Sequence, residues 1–503
     1  MSKSLEDYEK LQELGKEIRT LSGVAMLLEW DQETYMPKGG ITSRSEQVEL
    51  ISFLIHEKKT SATFKKALEK LIDLESGELK GEDLSNRKKR SVEEFYGEYI
   101  KDAKLPADFV KKLAKANSKG THAWQKAREE NSFEAFLPYL ENIVTLNQQK
   151  AAYLGFKDHP YDALLDLYEP GVTTQELDTL FGTLKPFLTD LTKKLAAKKK
   201  VSTAFLTAQF PRDKQMEFCH FLLDKMKLDP EKFRLDFSTH PFCTAPHPHD
   251  VRLTTHTSSS GFFKNISAVM HEGGHALYEL GLPVEDFGTP LAEYCTMGIH
   301  ESQSRWWECF IGQGRPFWEF AYPKLLEIFP EQLQGITLDH FYQAINQVEP
   351  SLIRVFADEV TYILHIILRY EIEKEFIAGT LNLADLPHIW NEKMENSLGV
   401  TPDTDMNGCL QDVHWSCGLI GYFPTYALGN IYASQFFDTF QKTFPDWEMR
   451  TTNGDLAFIR HFLLEKVHRH GREFPALTLI ERATGAPLSP QPYMDYLTKK
   501  YSQ

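Results

Sequence analysis

Apolar residues recur at intervals of three and four through almost the whole chain, from "LEDYEKLQELGKEIRTLSGVAMLLEW" near its start, through "ELDTLFGTLKPFLTDLTKKLAAK", to "AFIRHFLLEKVHRH" near its end. That period lays one apolar stripe along each helix, so most of the fold has to be helix packed on helix. With 503 residues, 42% hydrophobic and 12% aromatic, the chain can bury a large core, and a disordered chain is excluded. The expected class is mainly α, in one domain spanning 1–503. The first 130 or so residues carry more charge, and "LESGELKGEDLSNRKKR" within them reads as an exposed break between helices. Residues 1–130 are therefore expected to form a helical subdomain that moves within that domain.

One stretch departs from the helical period. In "FRLDFSTHPFCTAPHPHDVRLTTHTS", residues 233–258, β-branched and aromatic residues alternate around the turn-forming "APHPHD", which predicts two short strands of a small sheet. Serines and a glycine then form a loop. Behind it "FFKNISAVMHEGGHALYEL" reads as an apolar-periodic helix that ends at Gly281 and Pro283.

The formal charge of −15 and pI near 5.7 give a field that repels nucleic acid and anionic lipid, so neither is expected as a partner. The basic run "KKLAAKKK", Lys193 to Lys200, reads as the solvated end of a helix, where cations complement the dipole. The opening "MSKSLEDYEK" has no apolar signal core, and no run of 18 apolar residues occurs, which predicts a soluble cytoplasmic protein. Cys219, Cys243, Cys295, Cys309, Cys409 and Cys417 form no C-x-x-C pair, as suits buried thiols in a reducing compartment.

The helix holding "HEGGH" carries the chemistry. His271 and His275 lie four residues apart, so one turn brings both imidazoles to the same side, where they can grip one cation. Glu272 stands beside them. In the H-E-x-x-H arrangement the histidines bind zinc and the glutamate takes a proton from metal-bound water. A core helix with two satisfied histidines is the alternative, but Gly273 and Gly274 each cost a helix interior about 1 kcal/mol relative to alanine. They are expected to admit something bulky, a substrate backbone or a neighbouring strand. A catalytic zinc also needs a third protein ligand. "GIHESQSRWWE" offers Glu301, 26 residues beyond His275, and its neighbour His300. Successive helix positions point about 100° apart, so only one of the two can face the metal.

These segments, taken with "HPF" (240–242), "DVRLT" (250–254), "IRVFAD" (353–358), "GCLQDVHW" (408–415) and "WDQETYMPKGG" from Trp30, resemble the carboxypeptidase Taq family of metallocarboxypeptidases along the whole chain. The resemblance implies a large, mainly helical metallopeptidase with a deep groove, forming a homodimer and removing C-terminal residues from peptides with broad preference. It implies His271, His275 and Glu301 as ligands of one divalent metal, zinc or cobalt, with Glu272 as the base. A helical zinc oligopeptidase that cuts internal bonds shares this metal chemistry and is the rival activity.

Negative charge developing on the scissile carbonyl needs a neutral donor near the metal. "HWSCGLIGYFPTYALGN" offers His414, Tyr422 and Tyr426 in a glycine-punctuated loop. Tyr422 is the expected donor, by likeness to helical zinc peptidases with a tyrosine after a histidine in this region, and Tyr426 is the substitute. A free α-carboxylate calls for an arginine, whose planar fork pairs with it bidentately. Arg354 is the first candidate and Arg252 the second. Asp358 and Asp250 in the same motifs are their obvious internal partners. His240, held extended by Pro241 at the end of the first predicted strand, is expected to line the groove. His247 and His249 read as turn residues. The free edge of the small sheet offers a peptide backbone a strand to pair with.

Overall fold

Among the described residues, nine α-helices precede the sheet: α1 (Lys3–Thr34), α2 (Ile41–Thr60), α3 (Ala62–Glu69), α4 (Asn86–Ala103), α5 (Ala107–Glu129), α6 (Phe133–Leu154), α7 (Pro160–Leu165), α8 (Thr174–Ala196) and α9 (Arg212–Lys225). The strands are β1 (Phe233–Phe237), β2 (Cys243–His247) and β3 (Asp250–Thr255). After them come α10 (Phe262–Leu280), α11 (Met297–Arg305), α12 (Arg315–Ile328), α13 (Leu338–Ile345), α14 (Tyr362–Ala378), α15 (Leu386–Leu398) and α16 (Pro424–Thr443). Among the described residues, four shorter α-helices follow: α17 (Trp447–Thr452), α18 (Ala457–Lys466), α19 (Ala476–Thr484) and α20 (Gln491–Tyr501). The computed structural model describes residues 2–80, 83–257 and 261–502, so the expected serine loop at Ser258 to Ser260 lies outside the described residues.

The mainly helical class is as the periodicity requires, and local chemistry sets the ends of the helices. The Thr173 side chain and Glu176 form a reciprocal cap at the start of α8, and Lys193 and Lys194 occupy its last turn, where the basic run was expected to sit. The break between α3 and α4 overlaps the segment expected for it, 74–90, whose last five residues instead begin α4 and of which residues 81 and 82 lie outside the described residues. Among the described residues no helix is long and apolar enough to cross a membrane.

The sheet differs from expectation: it has three strands, in the order β1-β3-β2, with β1 parallel and β2 antiparallel to β3. Pro241 lacks an N–H for a ladder and interrupts what the alternation joined into one strand. The chain therefore crosses over between Phe237 and Cys243, and β1 and β2 flank β3 on opposite sides. β2 is left as an edge strand, packed against α1 where Gly23 meets the Pro246 carbonyl.

Two cores form. The large one gathers most of the chain from Trp124 onward, and α14, apolar on nearly every side, runs through it. A smaller core of Tyr8, Leu11, Ile18, Phe64, Val92 and Phe95 joins α1, α3 and α4. Each such side chain, buried, contributes about 1.5 to 3 kcal/mol, enough to hold these helices together as a unit.

Candidate active site

α10 puts His271 and His275 on one side, with ring centroids 4.8 Å apart. α11 crosses α10 and delivers Glu301, whose Oε2 lies 3.5 Å from His271 Nε2 and 3.6 Å from His275 Nε2. Three donor atoms, one from each side chain, lie within 4.8 Å of one another, a spacing that one divalent cation can bridge.

Glycine makes this crossing close enough. A methyl at Gly274 would stand 2.7 Å from Ser304 Cα, and one at Gly429 of α16 would stand 2.7 Å from Glu301 Cβ. The glycine pair was expected to admit a substrate backbone or a neighbouring strand; what approaches closely is neither of these but a neighbouring helix and apolar side chains. Gly273 lies about 200° round the helix from His271 and faces Met226 and Leu223, while Gly274 faces α11. Both serve helix packing, and the lost helix propensity brings the third donor within reach.

α11 is held by its own start. The Glu169 carboxylate accepts the Gly298 N–H, and the Thr296 hydroxyl accepts the Ile299 N–H at 3.1 Å. His300 turns away from the donor cluster: its Nε2 pairs with Glu279 Oε1 at 2.8 Å, and its ring stacks on that of His275 at 4.3 Å. Of the two neighbours, Glu301 is the one that shares the space between the imidazoles.

Glu308 went unnoticed in the sequence. It sits on a π-helical turn, Trp306–Ile311, directly after α11. Its Oε2 accepts His271 Nδ1 at 2.8 Å and Arg305 Nη1 at 2.7 Å, and its Oε1 accepts the Ser267 hydroxyl at 2.8 Å. With Nδ1–H donated to Glu308, Nε2 is the nitrogen that faces Glu301 and is left to bind a cation once its own proton is displaced. The only signal in the sequence was a carboxylate inside the apolar run "RWWECFI".

The electrostatics favour a cation. Burial works to lower the pKa of His271, but Glu301 and Glu308 outweigh it and hold the imidazole at about 9. Burial, then His300 and His271, depress His275 well below the ordinary range, leaving it a neutral imidazole. Burial works to raise Glu308, but Arg305 and then His271 hold it at about 2. Glu272 is 7% exposed. Burial first pushes its pKa up, His271 opposes, and Glu301 and Glu308 add to the rise, to about 7.

The cluster opens into a cavity of about 700 Å³, with Arg19, Gly23 and Met26 of α1 on one wall, β2 on another, and Tyr422, Thr425 and Tyr426 opposite. Tyr422 stands at the end of a turn and Tyr426 in the first turn of α16, with ring centroids 5.3 Å apart. Burial, and then Glu301, push the Tyr422 hydroxyl well above its usual pKa, so it stays a proton donor. His414 lies behind them, with Nε2 3.2 Å from the Tyr426 hydroxyl, and burial is the main cause of its pKa falling to about 4.

The remaining predicted residues stand apart from this lining. Arg354, 6% exposed, gives Nε and Nη2 to Asp412 at 3.0 and 2.8 Å and Nη1 to the Tyr362 hydroxyl at 3.1 Å. Its expected partner Asp358 instead accepts the Glu349, Val360 and Thr361 N–H groups, because it closes the turn that starts α14. Arg252 pairs with Asp250 as expected, at 2.9 and 3.1 Å, and lies 4.3 Å over the Trp30 ring. His240 is exposed in the crossover between β1 and β2, while the next residues, Pro241 and Phe242, line the cavity.

Residues 10–501 match the family model for carboxypeptidase Taq (M32) metallopeptidases. Carboxypeptidase 1 of Bacillus subtilis (strain 168) is 41% identical over 497 residues, covering 98% of each chain. Thermostable carboxypeptidase 1 of Thermus thermophilus is 39% identical over 505 residues, again covering 98% of each. The crystal structure of an M32 carboxypeptidase from Deinococcus radiodurans R1 superposes with a TM-score of 0.95 at 36% identity, over 99% of both chains. With that match running from end to end, the chain belongs to the carboxypeptidase Taq (M32) family of metallocarboxypeptidases.

Proposed function

We propose that the protein hydrolyses the C-terminal peptide bond of peptides with broad preference, using one divalent cation held by His271, His275 and Glu301, with Glu272 as general base. The observation that carries this reading is the convergence of those three donors beside Glu272 on the wall of one cavity. Two neutral-capable imidazoles and a carboxylate form a donor set that suits zinc, with cobalt as the alternative. A cation held there supplies Lewis-acid polarisation of the attacking water and of the scissile carbonyl.

The protein's own groups do the rest. Glu272 accepts the water proton and passes it to the departing amine, a task suited to a base whose pKa lies near 7. Tyr422 donates its hydroxyl to the carbonyl oxygen as negative charge gathers there, with Tyr426 as the neighbour able to substitute. β2, the edge strand that lines the cavity, supports holding the peptide main chain by strand pairing, which does not read side chains and so suits broad preference. The separate small core of α1, α3 and α4 supports a subdomain that moves as a unit over the groove. All six cysteines are free, which supports action in the reducing cytoplasm, and the family likeness supports a homodimer.

Tyr422→Phe removes one hydroxyl, so kcat should fall by roughly 100-fold or more with little change in KM. Steady-state kinetics on one short peptide checks this. The same loss in Tyr426→Phe, with Tyr422→Phe unimpaired, would move the role to Tyr426.

The exopeptidase step rests on recognition of the terminal carboxylate. Arg354 is proposed as its anchor: it and Arg369 share a single carboxylate, Asp412, and its Nη1 contact to Tyr362 is the one a substrate could exchange. Arg252 is the second candidate. A desolvated carboxylate–guanidinium pair broken on one side costs about 2 to 5 kcal/mol, so amidating the peptide should lower kcat/KM by roughly 30- to 4,000-fold. Mass analysis of the products reads the outcome. A peptide cut equally well when amidated, or yielding internal fragments first, would make the enzyme an oligopeptidase.

A further inference from the structure

Both ends of the loop between Trp415 and Gly421 return to one carboxylate. Glu373 of α14 is fully buried, at 0% exposure, and does not touch the cavity. Its Oε1 accepts the Trp415 indole N–H at 2.8 Å. Its Oε2 accepts the Gly421 backbone N–H at 3.0 Å and the Tyr161 hydroxyl at 2.6 Å. Trp415 follows His414 in the chain, and Gly421 precedes Tyr422. The two residues that flank the clamped segment are therefore the histidine behind the tyrosine pair and the tyrosine on the cavity wall.

We infer that Glu373 is a positioning residue for the hydrolytic step: it ties both ends of this loop to the rigid α14 and so sets where the Tyr422 hydroxyl stands. The inference rests on the reading of Tyr422 as donor to the carbonyl oxygen. Three donors converge on Glu373, and a carboxylate is the side chain with acceptor capacity for all three. Inside the loop, the Leu419 N–H reaches the His414 carbonyl at 2.9 Å and the Gly418 N–H reaches the Trp415 carbonyl at 3.1 Å. Those bonds shape the turn, while the bonds to Glu373 place it relative to α14. A donor displaced by about 1 Å can cost on the order of 100-fold in rate, so a residue that never meets substrate can act on kcat through Tyr422.

Glu373→Gln keeps size and shape, but its amide has one acceptor arm and one donor arm, so either Trp415 or the Gly421 and Tyr161 pair meets a donor. The expected result is a fall in kcat of about 10-fold or more, bounded by the Tyr422→Phe loss, with KM within about threefold and metal content unchanged. Trp415→Phe keeps one aromatic ring but deletes the indole donor together with the second ring of a buried side chain, and should show a smaller fall in kcat of the same kind with a lowered Tm. Tyr161→Phe deletes the donor that lies outside the loop, and should lower Tm with kcat little changed.

A double-mutant cycle decides the matter. In a Tyr422→Phe background, Glu373→Gln should cost less than about twofold, because both changes remove the same contact. If Glu373→Gln does not fold, Trp415→Phe takes its place in the cycle under the same criterion. Losses that multiply, or a folded Glu373→Gln enzyme with unaltered kcat, would overturn the inference while leaving the donor role of Tyr422 intact. Unimpaired kcat in Tyr422→Phe alone would overturn the donor reading, and this inference with it.

Discussion

Glu272→Gln should keep its divalent metal and lose about 100- to 10,000-fold in kcat, the span that general base catalysis supplies. The substitution preserves shape and polarity and removes only the capacity to accept a proton. Its neighbours His271, His275 and Glu301 are untouched, so metal analysis of the purified variant should match that of the wild type. The variant separates base from ligand, which the adjacency of Glu272 to His271 would otherwise blur. Activity within about threefold of wild type would remove Glu272 from the mechanism.

His271→Ala or His275→Ala should leave less than one metal per chain and abolish hydrolysis, because two remaining protein donors hold a divalent ion poorly. The half-buried Glu308 gives this prediction a graded companion. It orients His271 through Nδ1 and is itself fixed by Arg305 and Ser267. Glu308→Gln should therefore weaken metal affinity by roughly 10- to 100-fold, the usual cost of losing a partner that orients a ligand. Metal titration of chelated protein reads both effects. A purified enzyme without a stoichiometric divalent ion, whose chelated form no metal reactivates, would refute the metal site.

Much of the fold was legible because helix formation is read locally. The 3.6-residue period, the stop at Gly281 and the basic end of α8 are all short-range facts, and each element stands where they put it. The sheet was half legible. Alternation marked the residues that form strands, but whether Phe233–Phe237 pairs beside β2 or across β3 depends on a crossover that no local pattern encodes.

In the site, the sequence by itself determined which side chains a cation could use. The four-residue spacing of His271 and His275 is one turn of a helix whatever surrounds it, and Glu272 comes with them. Helix geometry shows only that Glu301 and His300 diverge, and the preference for Glu301 came from the family resemblance; which of the two faces the histidines is seen only in the tertiary structure. That facing is decided where Gly274 lets α11 lie against α10 and Glu169 holds the start of α11. For the same reason Arg354 pairs with Asp412 rather than with its near neighbour Asp358, and Glu308 and Glu373 came to light only in the folded chain. Spacing along one helix is a property of the chain, whereas a buried charge takes the partner that packing puts beside it, and packing is settled by every element that shares the core.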